Sequence, residues 1–155
     1  MNAPNPTPRI VVGVDGSPSS IAALRWARRI GQAVGADLEA VTTWEFPSSY
    51  GVGAVPLDWR PDVDAAQQLA DALTAAFGSP EPAGITRQIR EGHAAPVLVE
   101  ASAGAEMLVV GSRGHGGFVG LLLGSVSAYC AEHASCPVVV VHEPAESAEQ
   151  RDAAG

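Results

Sequence analysis

Short apolar runs alternate with helical patterns along most of this chain, and that alternation limits its fold more than any other feature. Arg9 to Val14 (RIVVGV) is an apolar run closed by Asp15-Gly16 and reads as a buried strand. Ser17 is placed to cap a helix with Pro18 at its first position, where a missing N–H costs nothing. That helix runs to about Val34, and Gly35 stops it. A second strand follows from Asp37 to Thr43, then a polar and aromatic loop from Glu45 to Arg60 and a helix from about Pro61 to Phe77. Gly78 to Gly84 turns into a strand at Ile85 to Arg90, Gly92 to Pro96 turns again, and Val97 to Ala103 forms a short helix. Glu106 to Val110 is the fourth strand, Gly124 to His133 a helix, and Pro137 to His142, with four consecutive valines, the last strand. Residues 1–8 read as a disordered lead-in and those from 143 to 155 as a disordered tail, leaving one domain over 9–142.

The order βαβαβαβ(loop)αβ predicts an α/β fold: a Rossmann-like, doubly wound, five-stranded parallel sheet with right-handed crossovers. Ligands of such sheets bind beyond the carboxyl ends of the strands, where the strand order reverses. With the order 3-2-1-4-5 that point lies between the first and fourth strands, so Val14-Asp15-Gly16 faces Val110-Gly111-Ser112 across one crevice.

The fourth strand runs into an unusual stretch. Val110 to Ser127 (VGSRGHGGFVGLLLGSVS) holds six glycines, at 111, 114, 116, 117, 120 and 124. Glycines are disfavoured inside helices and strands, so most of this stretch is loop. A loop of this length in a compact domain is usually functional or disordered. Pinned between apolar strands and carrying Phe118 and Leu121 to Leu123, it reads as ordered, with the leucines folding it back onto the sheet or, as the alternative, forming a partner-binding patch. Glycines let main-chain N–H groups turn toward an anion, and Gly124-Ser125 opening a helix puts further N–H groups in line. The Ser125 and Ser127 hydroxyls are placed to add hydrogen bonds. Asp15 brings a carboxylate to the same crevice. Each residue has a structural reading too: Asp15 organising the turn before the first helix, Gly111 and Gly114 allowing tight packing, and Ser125 capping its helix.

Other chemistries are set aside on the residues. The net charge is −8 and there is no lysine, which argues against nucleic acid as a partner and excludes a P-loop. No apolar run is long enough to span a membrane, and MNAPNPTPR lacks the apolar core of a signal peptide, so the chain is read as cytoplasmic. His115-Gly116-Gly117-Phe118 faintly echoes a lipase oxyanion loop, but no G-x-S-x-G elbow exists. His93, His115, His133 and His142 show no metal-ligand spacing, and His115 alone is placed to touch a ligand phosphate. Cys130 and Cys136 read as reduced, buried thiols, with a redox pair as the alternative. Trp26, Trp44 and Trp59 read as packing residues.

Gly111-x-x-Gly114, nine residues, then Gly124-Ser125 resembles the G-x2-G-x9-G-[ST] motif of the universal stress protein family. The first strand and turn, Gly13-Val14-Asp15-Gly16-Ser17, and the closing Pro137 to Val141 are similar to that family as well, so the resemblance spans about 9–142. It implies an adenine nucleotide alpha-hydrolase-like domain that dimerises, in the branch that binds ATP with a divalent metal. By position it implies Gly13, Val14 and Asp15 at the first turn, with Asp15 by the ribose and phosphates, where its carboxylate makes sense if it accepts from the ribose or holds Mg²⁺ through water. Thr43 and Val110 then flank adenine. Gly111, Ser112, Arg113 and Gly114 line the ribose and phosphate track, and Gly124, Ser125, Val126 and Ser127 grip the phosphates. Gly13 stands where some relatives carry proline, and Thr43 where a smaller or more apolar residue is common.

Three functions follow as alternatives. The first is an ATP-binding regulatory protein of stress responses, at most a slow ATPase or self-phosphorylating. The second is an ATP-dependent enzyme with a second substrate pocket walled by the Trp44–Trp59 loop. The third is an interaction module without nucleotide. The apolar edge strand Val138 to Val141 invites pairing about a two-fold axis, which predicts a homodimer.

Overall fold

The computed structural model describes residues 5–46, 56–114 and 123–143. The readings placed on Tyr50, His115, Phe118, Leu121, Leu122 and the tail beyond Glu143 lie outside these residues. The elements run β1 (Arg9–Gly13), α1 (Pro18–Val34), β2 (Asp37–Trp44), α2 (Pro61–Phe77), β3 (Ile85–Glu91), α3 (Ala94–Ala101), β4 (Met107–Gly111), α4 (Ser125–His133) and β5 (Val138–Val141). All five strands are parallel in the order β3-β2-β1-β4-β5. The order 3-2-1-4-5 assumed from the sequence is the one observed, and its reversal falls between β1 and β4.

The helix ends follow their caps. Ser17 accepts from the Ser20 N–H, Pro18 opens α1, and Gly35 closes it at φ 74°, a left-handed conformation. Asp62 and Asp64 sit in the first turn of α2, where carboxylates meet the positive end of the helix dipole. Strand ends shift by a residue or so, and α3 differs at both ends, running from Ala94 to Ala101 instead of Val97 to Ala103. Pro96 falls within its first turn, where a helix has no carbonyl waiting for an N–H, so the proline starts the helix instead of delaying it.

Alternation along the strands builds two cores. Ile10, Val12, Val14, Leu38, Ala40, Val109 and Val141 pack with α1 and α2 on one face of the sheet. Val11, Val41, Leu108 and Val110 pack with Leu98 and Ala101 of α3 and Cys130 of α4 on the other. Burial, and next the neighbouring Cys136, push the Cys130 thiol up to about 11. Both cysteines are free thiols. Trp26 does not join a core: it is 47% exposed, with the Arg29 guanidinium 4.5 Å from its ring centroid. Trp44 and Trp59 flank Phe46 in edge-to-face contacts at 5.5 and 5.9 Å. The two sheet edges are unlike: β3 (ITRQIRE) is charged and β5 (VVVV) wholly apolar. Among the described residues no helix is long and apolar enough to cross a membrane.

Candidate functional site

A cavity of about 650 Å³ opens where β1 and β4 diverge, a volume in the range of small-molecule sites. Its walls are the β1–α1 turn, the carboxyl end of β2, the first turn of α3 and the segments on either side of residues 115–122.

The β1–α1 turn is tied by its own side chains. Asp15 Oδ1 accepts from the Ser17 main-chain N–H at 2.9 Å and from the Ser17 hydroxyl, a turn that aspartate favours. The turn is also stitched to the β4 exit, because the Ser19 hydroxyl donates to the Arg113 carbonyl, which the Ser17 hydroxyl oxygen approaches to 3.3 Å. Such closeness requires glycine at 111. A Cβ there would lie 2.8 Å from the main-chain carbon of Ser19 and the nitrogen of Ser20. The long loop is closed at its base: Gly124 N–H donates to the Ser112 carbonyl at 2.7 Å, and the Ser127 hydroxyl reaches the same oxygen and that of Gly124, both at 3.1 Å.

Two helix N-termini meet this cavity in different states. At α1 the Ser17 side chain already occupies the first-turn N–H of Ser20. At α4 the N-cap is Gly124, which brings no side-chain acceptor. Ser125, Val126 and Ser127 line the cavity there, so the unpaired N–H groups that every helix start carries are left for an incoming acceptor. The ionisable side chains among the described lining residues are Asp15 and Arg113.

Twelve of the thirteen residues singled out from the sequence line this one cavity: Gly13, Val14, Asp15, Thr43, Val110, Gly111, Arg113, Gly114, Gly124, Ser125, Val126 and Ser127. Ser112 does not; it is buried and serves as the anchor on which the loop closes. Ser127 is buried as well, and its hydroxyl proton is directed to protein carbonyls. Asp15 organises its turn and lines the cavity at once, so its two readings are compatible. Sequence reasoning did not single out Val41, Ala94, Leu98 or Gln68, all of which line the same space. Val41 shares a strand face with Thr43 by simple alternation, and Ala94 and Leu98 stand one helical turn apart, so three of the four carried a signal.

Fold and cavity together define a Rossmann-like α/β protein with a ligand-sized opening at its switch point. The chain belongs to the universal stress protein family, whose family model matches residues 6–142. It is 35% identical over 156 residues to Universal stress protein Rv2623 of Mycobacterium tuberculosis, covering 92% of this chain and 50% of that protein. It therefore spans about half the length of the curated relatives it matches. A solved universal stress protein in complex with cAMP is 31% identical, with a TM-score of 0.61, over 88% of this chain and 98% of that one. A universal stress protein of Archaeoglobus fulgidus in complex with dAMP is 20% identical and shares the fold, with a TM-score of 0.61 over 88% and 98% of the two chains.

Proposed function

We propose that this chain binds an adenine nucleotide, ATP above all, in the switch-point cavity and acts as a regulatory module of stress responses, with 9–142 as the binding unit. The observation that carries this reading is the uncapped start of α4, whose first-turn N–H groups open onto the same cavity as the Asp15 carboxylate. Phosphate oxygens suit the helix start, and ribose hydroxyls suit the carboxylate. The apolar walls of Val41, Leu98 and Val110 suit a base. The related structure that holds cAMP supports the adenine assignment.

Mg²⁺ fits this site as a companion of the phosphates. The lining offers one carboxylate, Asp15, and among the described residues no group of three or more His, Cys, Asp and Glu gathers. Magnesium commonly keeps several waters and takes one or two carboxylates plus phosphates, which matches Asp15 acting through water. With one carboxylate, already engaged by Ser17, and no histidine among the described lining residues, the site favours holding a nucleotide over turning it over. The acidic chain, read as cytoplasmic, is proposed to pair with a second copy through β5 and not to take nucleic acid.

Calorimetric titration with ATP and Mg²⁺, with AMP and with cyclic AMP tests the proposal, with product analysis over hours in excess ATP. Saturable binding of at least one nucleotide and no stoichiometric turnover are expected. Absence of binding to all three would overturn the reading, and multiple turnovers would replace it with an ATP-dependent enzyme.

A further inference from the structure

Helix α2 turns Pro61, Ala65, Leu69, Ala72 and Leu73 into the core. Gln68 lies three residues past Ala65 and four before Ala72, so a primary amide flanks an otherwise apolar stripe. It is half-buried, and burying an amide is unfavourable unless it is hydrogen-bonded. Its partner is specific: Nε2 donates to the main-chain oxygen of Asp15 at 2.6 Å, across 53 residues of sequence. Gln68 also lines two separate spaces, the switch-point cavity and a shallower groove between α1 and α2 that includes Gly16, Asp64 and Asp71. It is thus the shared wall between them. Gly16, at φ 82°, packs against that wall, since a Cβ there would lie 3.2 Å from Gln68 Cγ and Nε2.

We propose that Gln68 is a positioning residue for the nucleotide, holding the main chain of Asp15 from α2 so that the Asp15 carboxylate meets the ribose at a set height. The inference rests on the function proposed above. It extends the site to a helix that none of the glycine motif reaches. The chemistry is sided. A neutral amide offers N–H to a carbonyl oxygen. A glutamate at 68 offers only lone pairs when ionised, and regains a donor when protonated.

The test compares wild type, Gln68→Ala and Gln68→Glu by calorimetry with ATP and Mg²⁺ and with AMP, alongside thermal unfolding of each. Gln68→Ala is expected to bind roughly three- to tenfold more weakly, the scale of one hydrogen bond. Gln68→Glu is expected to bind more weakly still at about pH 7.5. Its deficit relative to wild type should shrink as the pH falls from about 8 to about 5, toward the range where a glutamate gains its proton. A fastener with a merely structural role would shift the unfolding midpoint without that pH profile. Unchanged affinity in Gln68→Ala, or a Gln68→Glu deficit that does not vary with pH, overturns the inference while the nucleotide site stands. A wild-type chain that binds neither nucleotide overturns the site itself, and the inference with it.

Discussion

Asp15 and Gly114, ninety-nine positions apart, approach so closely that a methyl group on Gly114 would stand 2.6 Å from Asp15 Oδ2. The carboxylate therefore projects across the cavity mouth onto bare main chain. Its other oxygen is held by Ser17, so the carboxylate cannot turn aside without giving up that turn.

This contact makes the two residues one functional unit. Asp15→Ala is expected to weaken ATP binding roughly tenfold or more, the scale of a hydrogen bond to a charged group. Gly114→Ala should do the same by displacing the carboxylate. In the double variant the second change should add less than about twofold, because the atom it collides with is gone. Additive losses measured by titration calorimetry would show that Gly114 acts on the ligand by itself.

Two other glycines separate stability from binding. At Gly111 an added methyl meets the main chain of Ser19 and Ser20, which cannot step aside. Gly111→Ala is expected to cost about 1–3 kcal/mol or more, the range for overpacking, read from the urea midpoint. At Gly13 the added methyl meets Leu98 Cδ1, the end of a side chain, at 2.7 Å. Gly13→Ala should therefore cost less in urea, and lower nucleotide affinity by crowding the wall where the base is proposed to lie.

The serines of α4 divide in the same way. Ser127→Ala removes a buried hydroxyl that ties Gly124 and Ser112 together, at an expected cost of about 1 kcal/mol in stability. Ser125 is exposed on the cavity wall. Ser125→Ala should leave the urea midpoint unchanged and weaken ATP alone, as denaturation and calorimetry on the same preparations will show.

Cys130 gives the fold a response to alkali. In the native chain its thiol keeps its proton to about pH 11, against a reference of 9.0. Between these values the native state holds more protons than the unfolded one, so stability falls as pH rises. The contribution is whole below about pH 9 and is lost as the pH climbs toward about 11. The gap in melting temperature between wild type and Cys130→Ala should narrow over that window. A thiol reagent at neutral pH should label Cys136 and spare Cys130 until the chain unfolds.

The succession of strands and helices and most of the cavity lining were legible, because the first rests on periodicity and the second on glycines at fixed spacing, whereas the strand order had to be assumed. β1 and β4 are apolar runs ending in Asp15-Gly16 and Gly111-Ser112, and the topology brings those ends together. Gln68 escaped notice for the opposite reason. Its partner is a main-chain oxygen on another element, and a carbonyl leaves no trace in sequence. Ser112 was placed correctly along the chain but on the wrong side of the wall, since spacing does not reveal that its carbonyl closes the loop. Trp26 shows the limit of composition, where a large ring lies outside, stacked with an arginine.

The two borders of the sheet are a valine strand and a strand dotted with arginine and glutamate. If two copies pair through β5, as proposed above, each uses up its one wholly apolar rim and turns the charged rim outward, so such an association would close at the pair instead of lengthening into a fibre.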